Sequence, residues 1–431
     1  MNLNDLESLD AALLIGSNIR KDQPIAALRL RKSALKGGAV SFINPRKFGL
    51  HFDAHIEISC RADHMTREML AVASACKADL SALESVPGDI VVEESHQGIA
   101  DSLAGASRSA LILGNIAVQH PAYAEFRVIA NAIAKATDSV LSLLPERANT
   151  AGAWLAGALP HRKAGGVDLG HSGKNAAQML ADPQSVYLAL GVDPEFDTAN
   201  PAQAVNSLKA ANEVVSLSSY LSPAMCECAS VVLPIAVFTE TYGTWVNASG
   251  IWQTSKGIVA APGDARPGWK VLRVMGDLLS LEGFGYSSPE EVTTEVQKQC
   301  AQVELDNSVS TTGVSLQPAQ QTDFVRSGET PLYATDPVVR RSEPLQKTND
   351  AKSAQFATLC AADAQRLGVT DGGSVRVRQS WGLNGSQQTG EATLAVRVDD
   401  SIPAGSVWVP TGIAETASLG ALFAPVELTK A

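Results

Sequence analysis

The beginning of the chain contains two short apolar segments separated by a segment with helical periodicity. The apolar segments at 10–15 and 39–44 predict buried strands, and residues 24–36 predict a helix between them. One side of this helix carries Ile25, Leu28 and Leu35. Strands that are joined through a helix run parallel, because antiparallel neighbours need only a short turn. The sequence therefore predicts an α/β protein with a parallel sheet.

The turn that follows the first strand is Gly16-Ser17-Asn18. It lacks the G-x-G-x-x-G spacing that the pyrophosphate of a dinucleotide requires in this kind of fold. A site for NAD is therefore not expected on this chain.

Strands and helices continue to alternate over the next two hundred residues. Further elements of the first unit are strands at 110–114 and 140–144 and helices at 65–76 and from Pro121, the latter with Tyr123, Phe126, Ala130 and Ile133 on one side. We assign residues 1–150 to one α/β domain. Three further strands are predicted at 185–191, 214–217 and 230–233. They place a second α/β domain at 151–299.

A hairpin is predicted near the end of the second domain. Residues 244–246 and 251–254 are rich in β-branched and aromatic side chains, and the turn between them contains Asn247 and Gly250. Gly243 would allow the backbone to approach another group closely. Pro267 then opens a helix whose apolar stripe is formed by Val271, Val274, Leu278 and Leu281.

Two patterns resemble ligand sites but have a simpler interpretation. Potential metal ligands at 51–57 alternate with apolar residues, as in a half-buried strand, and they comprise His51, Asp53, His55 and Glu57. We favour the strand and expect no metal site. The Gly-rich stretch at 170–175 resembles a phosphate-binding loop, but Asp168 and Asn175 stand where a Gly and a Ser or Thr are needed. A surface loop is the better interpretation.

Composition and charge exclude several classes of protein. The net charge of −11 opposes binding to nucleic acid, and no apolar run reaches the ~20 residues of a membrane helix. The six cysteines contain no C-x2-C pair, so local spacing provides neither an iron–sulfur cluster nor a zinc finger. Roles for Cys226 and Cys228 are not assigned by their spacing. The first residues have no signal-peptide pattern, which indicates a cytoplasmic location.

The remainder of the chain divides into a polar segment and a β-rich segment. Residues 300–329 are rich in Ser, Thr, Gln and Gly, and we assign 300–354 to a linker and docking segment with Arg326 in exposed backbone. Residues 355–431 are predicted to form a β domain with a short helix at 363–368 and strands at 374–379, 391–398 and 407–410.

Several of these residues resemble known families. The hairpin region and the segment 229–234 resemble the molybdopterin oxidoreductase superfamily through Glu240, Gly243, Thr244, Asn247, Gly250, Gln253, Gly263, Ala265, Arg266 and Trp269. The last domain, with Asp371-Gly372 and residues 402–405, resembles the double-psi β-barrel that ends those proteins. Residues 332–348 resemble the large iron–sulfur (G) subunit of bacterial NADH-quinone oxidoreductase, respiratory complex I. The resemblance implies parallel-sheet domains of the formate dehydrogenase and DMSO reductase type, followed by a double-psi β-barrel-like domain.

The resemblance also implies where a pterin groove would lie and whether it is used. Candidate residues of a vestigial groove are Gly16, Asn18, Gly243, Thr244, Asn247 and Gln253. Two positions depart from pterin-binding members, namely residues 59–63 in place of a PGTD motif and Ile251 in place of an Arg. Because the phosphates of a pterin cofactor need Gly-rich backbone donors and cations, we expect no bound molybdopterin, no catalytic residue and no metal ligand in this chain.

The implied function is that of a structural and assembly module in the peripheral arm of complex I, at the cytoplasmic face of the membrane. Its expected partners are other peripheral-arm subunits and an iron–sulfur portion that in the family lies N-terminal to this region. The second sheet is expected to lack strands from that portion, as in a split or truncated gene product. One alternative is a fragment of an active molybdopterin oxidoreductase such as formate dehydrogenase. Another is a free-standing α/β binding protein.

Overall fold

The structure is a computed structural model that describes residues 1–304, 306, 308–309, 313–383 and 386–431. It contains two parallel sheets and a closed barrel. In the part of the chain that is described, no helix is long and apolar enough to cross a membrane.

The first unit is a five-stranded parallel sheet with helices on both faces. Its strands and the short strand β4 are β1 (Ala11–Ile15), β2 (Ala39–Asn44), β3 (Glu57–Ser59), β4 (Leu83–Glu84), β5 (Ser109–Leu113) and β6 (Val140–Leu143). Its helices are α1 (Ile19–Asp22), α2 (Pro24–Leu35), α3 (Met65–Ala75), α4 (Glu94–Ala104), α5 (Asn115–Gln119) and α6 (Tyr123–Ala136). The strand order is β3-β2-β1-β5-β6, so β1 lies at the centre and all five of its residues are buried. The predicted strand–helix–strand start of the chain is confirmed.

The second unit contains a parallel sheet of three strands and the hairpin. Its strands are β7 (Val186–Leu190), β8 (Glu213–Ser218), β9 (Val231–Pro234), β10 (Gly243–Val246) and β11 (Trp252–Ser255). Its helices are α7 (Thr150–Leu155), α8 (Ala176–Ala181), α9 (Pro194–Asp197), α10 (Pro201–Lys209), α11 (Pro223–Cys228), α12 (Gly268–Leu278) and α13 (Pro289–Gln299). One face of the sheet packs on Leu208 of α10 and Met225 of α11. The other face leaves Val186, Leu188 and Leu190 exposed.

The third unit is a closed six-stranded barrel. The strands of this region are β12 (Val314–Ser315), which pairs with β4, and β13 (Phe324–Ser327), β14 (Phe356–Leu359), β15 (Ser374–Leu383), β16 (Ser386–Val398), β17 (Ser406–Trp408) and β18 (Pro425–Lys430). The helices are α14 (Pro337–Arg340), α15 (Glu343–Gln346), α16 (Asn349–Ser353) and α17 (Ala361–Leu367). Around the barrel the order is β13-β17-β14-β16-β15-β18. Its interior is filled by alternating apolar side chains such as Val375, Val377 and Val396.

The predicted linker is wrong at residues 324–327, because this segment is the barrel strand β13. Val325 pairs in parallel with Ser406, and Phe324 pairs antiparallel with Val426. Arg326, which we expected in exposed backbone, is fully buried. The Ser- and Thr-rich residues around this short strand are typical of a loop, and a charged side chain such as Arg326 is usually exposed. Both features predict an exposed segment here.

The strand predicted across residues 51–58 is also shorter than expected. β3 begins at Glu57, which pairs with Phe42. The carbonyl of His51 instead accepts a hydrogen bond from Arg31 Nε of helix α2 at 3.0 Å, which holds this segment beside the helix. Among the described residues, no group of three His, Cys, Asp or Glu side chains is arranged to hold a metal ion.

Candidate functional site

A cleft of about 230 Å³ lies between the first sheet and the barrel. It opens at the carboxyl ends of β1 and β2, which is the edge where open parallel sheets bind their ligands. Three parts of the chain line it: the segments after β1 and β2, the segment that connects β13 to β14, and the barrel. The residues that the site depends on are Asn18, Lys21, Asp22, Arg46, Phe48, Glu329, Asp350, Asp399 and Trp408.

A pair of carboxyl groups lies at the floor of this cleft. Asn18 donates from Nδ2 to both carboxylate oxygens of Glu329, at 2.9 and 3.2 Å. Asp22 Oδ2 is buried and has no hydrogen-bond partner among the described residues. Burial raises the pKa of both carboxyl groups, and the charge of each neighbouring acid raises it further, Asp22 acting on Glu329 and Glu146 on Asp22. The floor therefore favours protonated, neutral carboxyl groups.

Two cations of the cleft lining, Lys21 and Arg46, have acidic partners within the chain. Lys21 Nζ lies 2.6 Å from a carboxylate oxygen of Asp350. Arg46 contacts Asp399 at 3.1 Å, and its guanidinium lies 5.0 Å from the centre of the Trp408 ring. These contacts join the first sheet to the connecting segment and to the barrel. They also engage the charges of these two side chains, while Arg20, Lys47 and Arg397 line the cleft as well.

The first turn has its polar groups satisfied internally. Ser17 N donates to Asn44 Oδ1 at 2.7 Å, and Asn44 Nδ2 donates to the Ser17 carbonyl at 3.2 Å. Gly16 has a φ of 58°, and a Cβ there would lie 2.4 Å from the backbone nitrogen of Ala117. Gly16 is thus required by the close packing of α5 on the turn. The side-chain amide of Asn18, the last residue of this turn, donates to Glu329.

The hairpin residues form a separate surface. Thr244 Oγ1 lies 3.0 Å from Thr293 Oγ1, and Asn247 Oδ1 accepts from the backbone N–H of Ser249 and Ile251 at 3.0 Å. The missing Cβ of Gly243 would lie 3.0 Å from the indole nitrogen of Trp245, so this Gly makes room for that ring. Gln253 is exposed. Of the six predicted groove residues, the cleft lining as described includes Asn18 and does not include these four hairpin residues.

Sequence reasoning missed the residues that determine the chemistry of the cleft. Glu329 belongs to the predicted linker, Asp22 ends the short helix α1, and Arg46 follows an apolar strand by two residues. Charged residues at such places are common on protein surfaces. A usable signal is that Arg46 and Lys47 lie two and three residues after β2, at its carboxyl end.

The substituted loop at residues 59–63 has a structural role. Arg61 forms an ion pair with Asp63 at 3.0 Å and donates to the carbonyl of Thr322 at 3.0 Å. These contacts fix the segment just before β13. In the cleft, Glu329 and Asp22 present carboxyl groups, whereas the phosphates of a pterin dinucleotide need backbone N–H donors and cations.

Comparisons with known proteins agree with this architecture. The model of the molybdopterin oxidoreductase family matches residues 1–277, and that of the molybdopterin dinucleotide binding domain matches residues 337–429. In a solved structure, acetylene hydratase from Pelobacter acetylenicus has a similar fold, with a TM-score of 0.64 and 15% identity over 100% of this chain and 81% of that one. The expected fold class is confirmed.

Curated relatives are, by name, subunits of NADH-quinone or NADH-ubiquinone oxidoreductase. The chain is 28% identical to the NADH-quinone oxidoreductase G subunit of Streptomyces coelicolor, over 94% of this chain and 48% of the relative. It is 23% identical to the NADH-ubiquinone oxidoreductase 78 kDa subunit of Neurospora crassa, over 84% of this chain and 42% of the relative. The chain thus spans less than half the length of these relatives. Because the family model covers well over half of the sequence, the chain belongs to the molybdopterin oxidoreductase family.

Proposed function

We propose that this chain is a structural and assembly module in the peripheral arm of NADH-quinone oxidoreductase, at the cytoplasmic face of the membrane, and that it carries no redox centre of its own. The observation that carries the proposal is the contact between Asn18 and Glu329. It places the chain's own carboxyl group at the sheet edge where this fold offers a ligand site.

Electrostatics support the same proposal. The floor of the cleft presents the carboxyl groups of Asp22 and Glu329, which offer a pyrophosphate no positive charge in either protonation state. The cations Lys21 and Arg46 hold Asp350 and Asp399 instead. These two ion pairs therefore fix the connecting segment and the barrel to the first unit.

The surface of the second unit supports a role in assembly. Three side chains in alternation on β7 are exposed, with 60% of Val186, 49% of Leu188 and 47% of Leu190 accessible. Among the described residues, no strand pairs with the outer edge of β7. Contiguous exposed apolar surface of this kind is typical of protein interfaces. The relatives' names suggest other subunits of NADH-quinone oxidoreductase as partners, and the resemblance implies peripheral-arm subunits and an iron–sulfur portion.

The first test asks whether the chain travels with the complex. In the organism that encodes it, a tagged chain should co-migrate with NADH dehydrogenase activity on native gels of detergent-extracted membranes. A chain that runs apart from this activity under conditions that keep the complex intact would contradict the proposed assembly role.

The second test concerns the cofactor. Because the cleft offers the carboxyl groups of Asp22 and Glu329 where a phosphate needs cations or backbone donors, the purified chain should contain far less than one molybdenum or tungsten per molecule. Elemental analysis and pterin fluorescence after denaturation measure this directly. A near-stoichiometric metal with a pterin signal would favour the alternative, an active molybdopterin oxidoreductase.

A third expectation is that the isolated chain self-associates through the exposed face of β7. Light scattering at rising concentration should show growing mass, and lysine at Val186, Leu188 and Leu190 together should suppress it. The matched control puts lysine at Ile25, Leu28 and Leu35, which are similarly exposed but lie on helix α2 of the first unit. If the unmodified chain stays monomeric, or if both triple variants behave alike, the β7 face is not the cause.

A further inference from the structure

The second parallel sheet has its own carboxyl edge, and charged residues of the segment after β13 are docked against it. Arg340 contacts Asp193 at 3.1 Å and also forms an ion pair with Asp197. Arg341 contacts the same Asp193 oxygen at 3.0 Å. The side chains of Asp193 and Arg340 are 3% and 8% exposed, so this is a buried network and not a surface contact.

The acidic partners lie where the strands of the sheet end. β7 ends at Leu190, and Asp193 is the residue that caps helix α9 directly after it. Each arginine is also stacked on an aromatic ring. The guanidinium of Arg340 lies 5.1 Å from the centre of the Phe196 ring in α9. That of Arg341 lies 4.6 Å from the ring of Tyr220, two residues after the end of β8.

This arrangement has the chemistry of a ligand site. Two carboxylates and two aromatic rings at the carboxyl ends of neighbouring parallel strands would recognise a guanidinium group through ion pairing and cation–π contact. The guanidinium groups present are those of the chain itself. Arg340 is the last residue of α14 and Arg341 follows it. The first turn of α14 is capped by Asp336, which accepts from the N–H of Val338 and Val339.

We propose that Arg340 and Arg341 form a built-in strap, which occupies the crevice at the carboxyl ends of β7 and β8 and ties the β13–β14 connection to the second sheet. Since β13 and β14 are barrel strands, the strap holds the barrel against the second unit as the cleft holds it against the first. A second contact supports this, because the carbonyl oxygen of Phe196 lies 3.2 Å from the position that a Cβ of Gly412 would take, in the segment that follows barrel strand β17. The inference does not depend on the proposed assembly function.

The test uses trypsin, which cleaves after arginine only where the backbone is accessible. In the unmodified chain, cleavage after Arg340 and Arg341 should be much slower than after Lys163, which lies in an exposed loop. In Asp193→Asn both arginines remain as substrates but lose their shared partner. The initial rate of cleavage after them should rise on the order of tenfold or more, while the rate after Lys163 stays unchanged.

Two controls separate the strap from general loosening. Glu343→Gln removes an exposed ion pair with Lys347 in the same segment and should leave all the rates unchanged. Hydrogen exchange in Asp193→Asn should increase in peptides that cover residues 336–342 and not in those that cover β16. Rapid cleavage after Arg340 in the unmodified chain would overturn the proposal. So would an unchanged rate in Asp193→Asn, or an equal rise at every site and in β16.

Discussion

Replacing Arg326 by methionine should lower the free energy of unfolding by about 3 to 6 kcal/mol, because it removes the donors that satisfy the inside of the barrel. The buried guanidinium donates to the carbonyls of Val409 at 3.1 Å, Pro410 at 2.7 Å and Gly420 at 2.7 Å. It also donates to Gln379 Oε1 at 3.3 Å. Methionine has a similar length but would leave these acceptors without partners.

The charge of Arg326 is tolerated because of this geometry. Burial lowers its pKa to about 9, which still leaves the side chain protonated at neutral pH. Four oxygen acceptors favour the charged form, although no carboxylate contacts it among the described residues. Arg326→Lys should therefore be destabilising as well, since an ammonium group cannot reach acceptors that are spread around a planar fork.

Urea unfolding followed by tryptophan fluorescence measures the effect, because Trp381 and Trp408 lie in barrel strands. The control is Arg378→Met on β15, whose side chain is 51% exposed and pairs with Glu427 at 3.4 Å. Its removal should cost no more than about 1 kcal/mol. Equal effects of the two substitutions would show that the buried hydrogen bonds of Arg326 contribute little to the barrel.

The example of Arg326 shows which parts of the fold are readable from sequence. The apolar runs that became β1, β2 and β5 are buried on both faces, so their position is fixed by composition alone and the prediction places their bounds within one residue. β13 is short and contains a charge, and its burial depends on acceptors more than fifty residues away in the chain. Local patterns carry no information about such partners.

Helix α2 shows the same limit for packing. Its bounds are close to the prediction, but the side chosen as apolar is the exposed one, with 54% of Ile25 and 66% of Leu35 accessible. The buried side is formed by Ala26, Leu30 and Ser33. Ser33 is buried because its hydroxyl donates to the carbonyl of Leu9 at 2.7 Å, a long-range contact that hydrophobic periodicity does not register.

The candidate site was predictable only in its location. The carboxyl edge of the first sheet follows from the strand order, and Asn18 was placed there by resemblance. Glu329 and Arg340 were not foreseeable as occupants of the two sheet edges, because each comes from a segment that is distant in sequence and polar in composition. Their roles depend on how the β13–β14 connection crosses both sheets.

The second large effect concerns Glu329 and pH. Burial raises the pKa of this carboxyl group from 4.5 to about 8, with the charge of Asp22 adding to the effect. The folded chain therefore binds more protons than the unfolded chain between these pH values. The contribution of protonated Glu329 to the free energy of unfolding is fully present below about pH 4.5 and is lost as the pH rises towards 8. We expect this pH change to remove about 2 to 4 kcal/mol of stability through Glu329, which is less than its full pKa shift implies because Glu329 and Asp22 titrate together.

Glu329→Gln should remove this loss, because the amide keeps an oxygen that accepts from Asn18 and cannot ionise. Relative to the unmodified chain, the variant should gain stability as pH rises from 5 to 8.5, and the difference should be largest at the alkaline end. Urea titrations at a series of pH values measure it. Glu343→Gln, which replaces an exposed carboxylate, should follow the unmodified chain. A Glu329→Gln curve parallel to the unmodified one would mean that Glu329 stays ionised in the fold, and the cleft would then be open to a cationic partner.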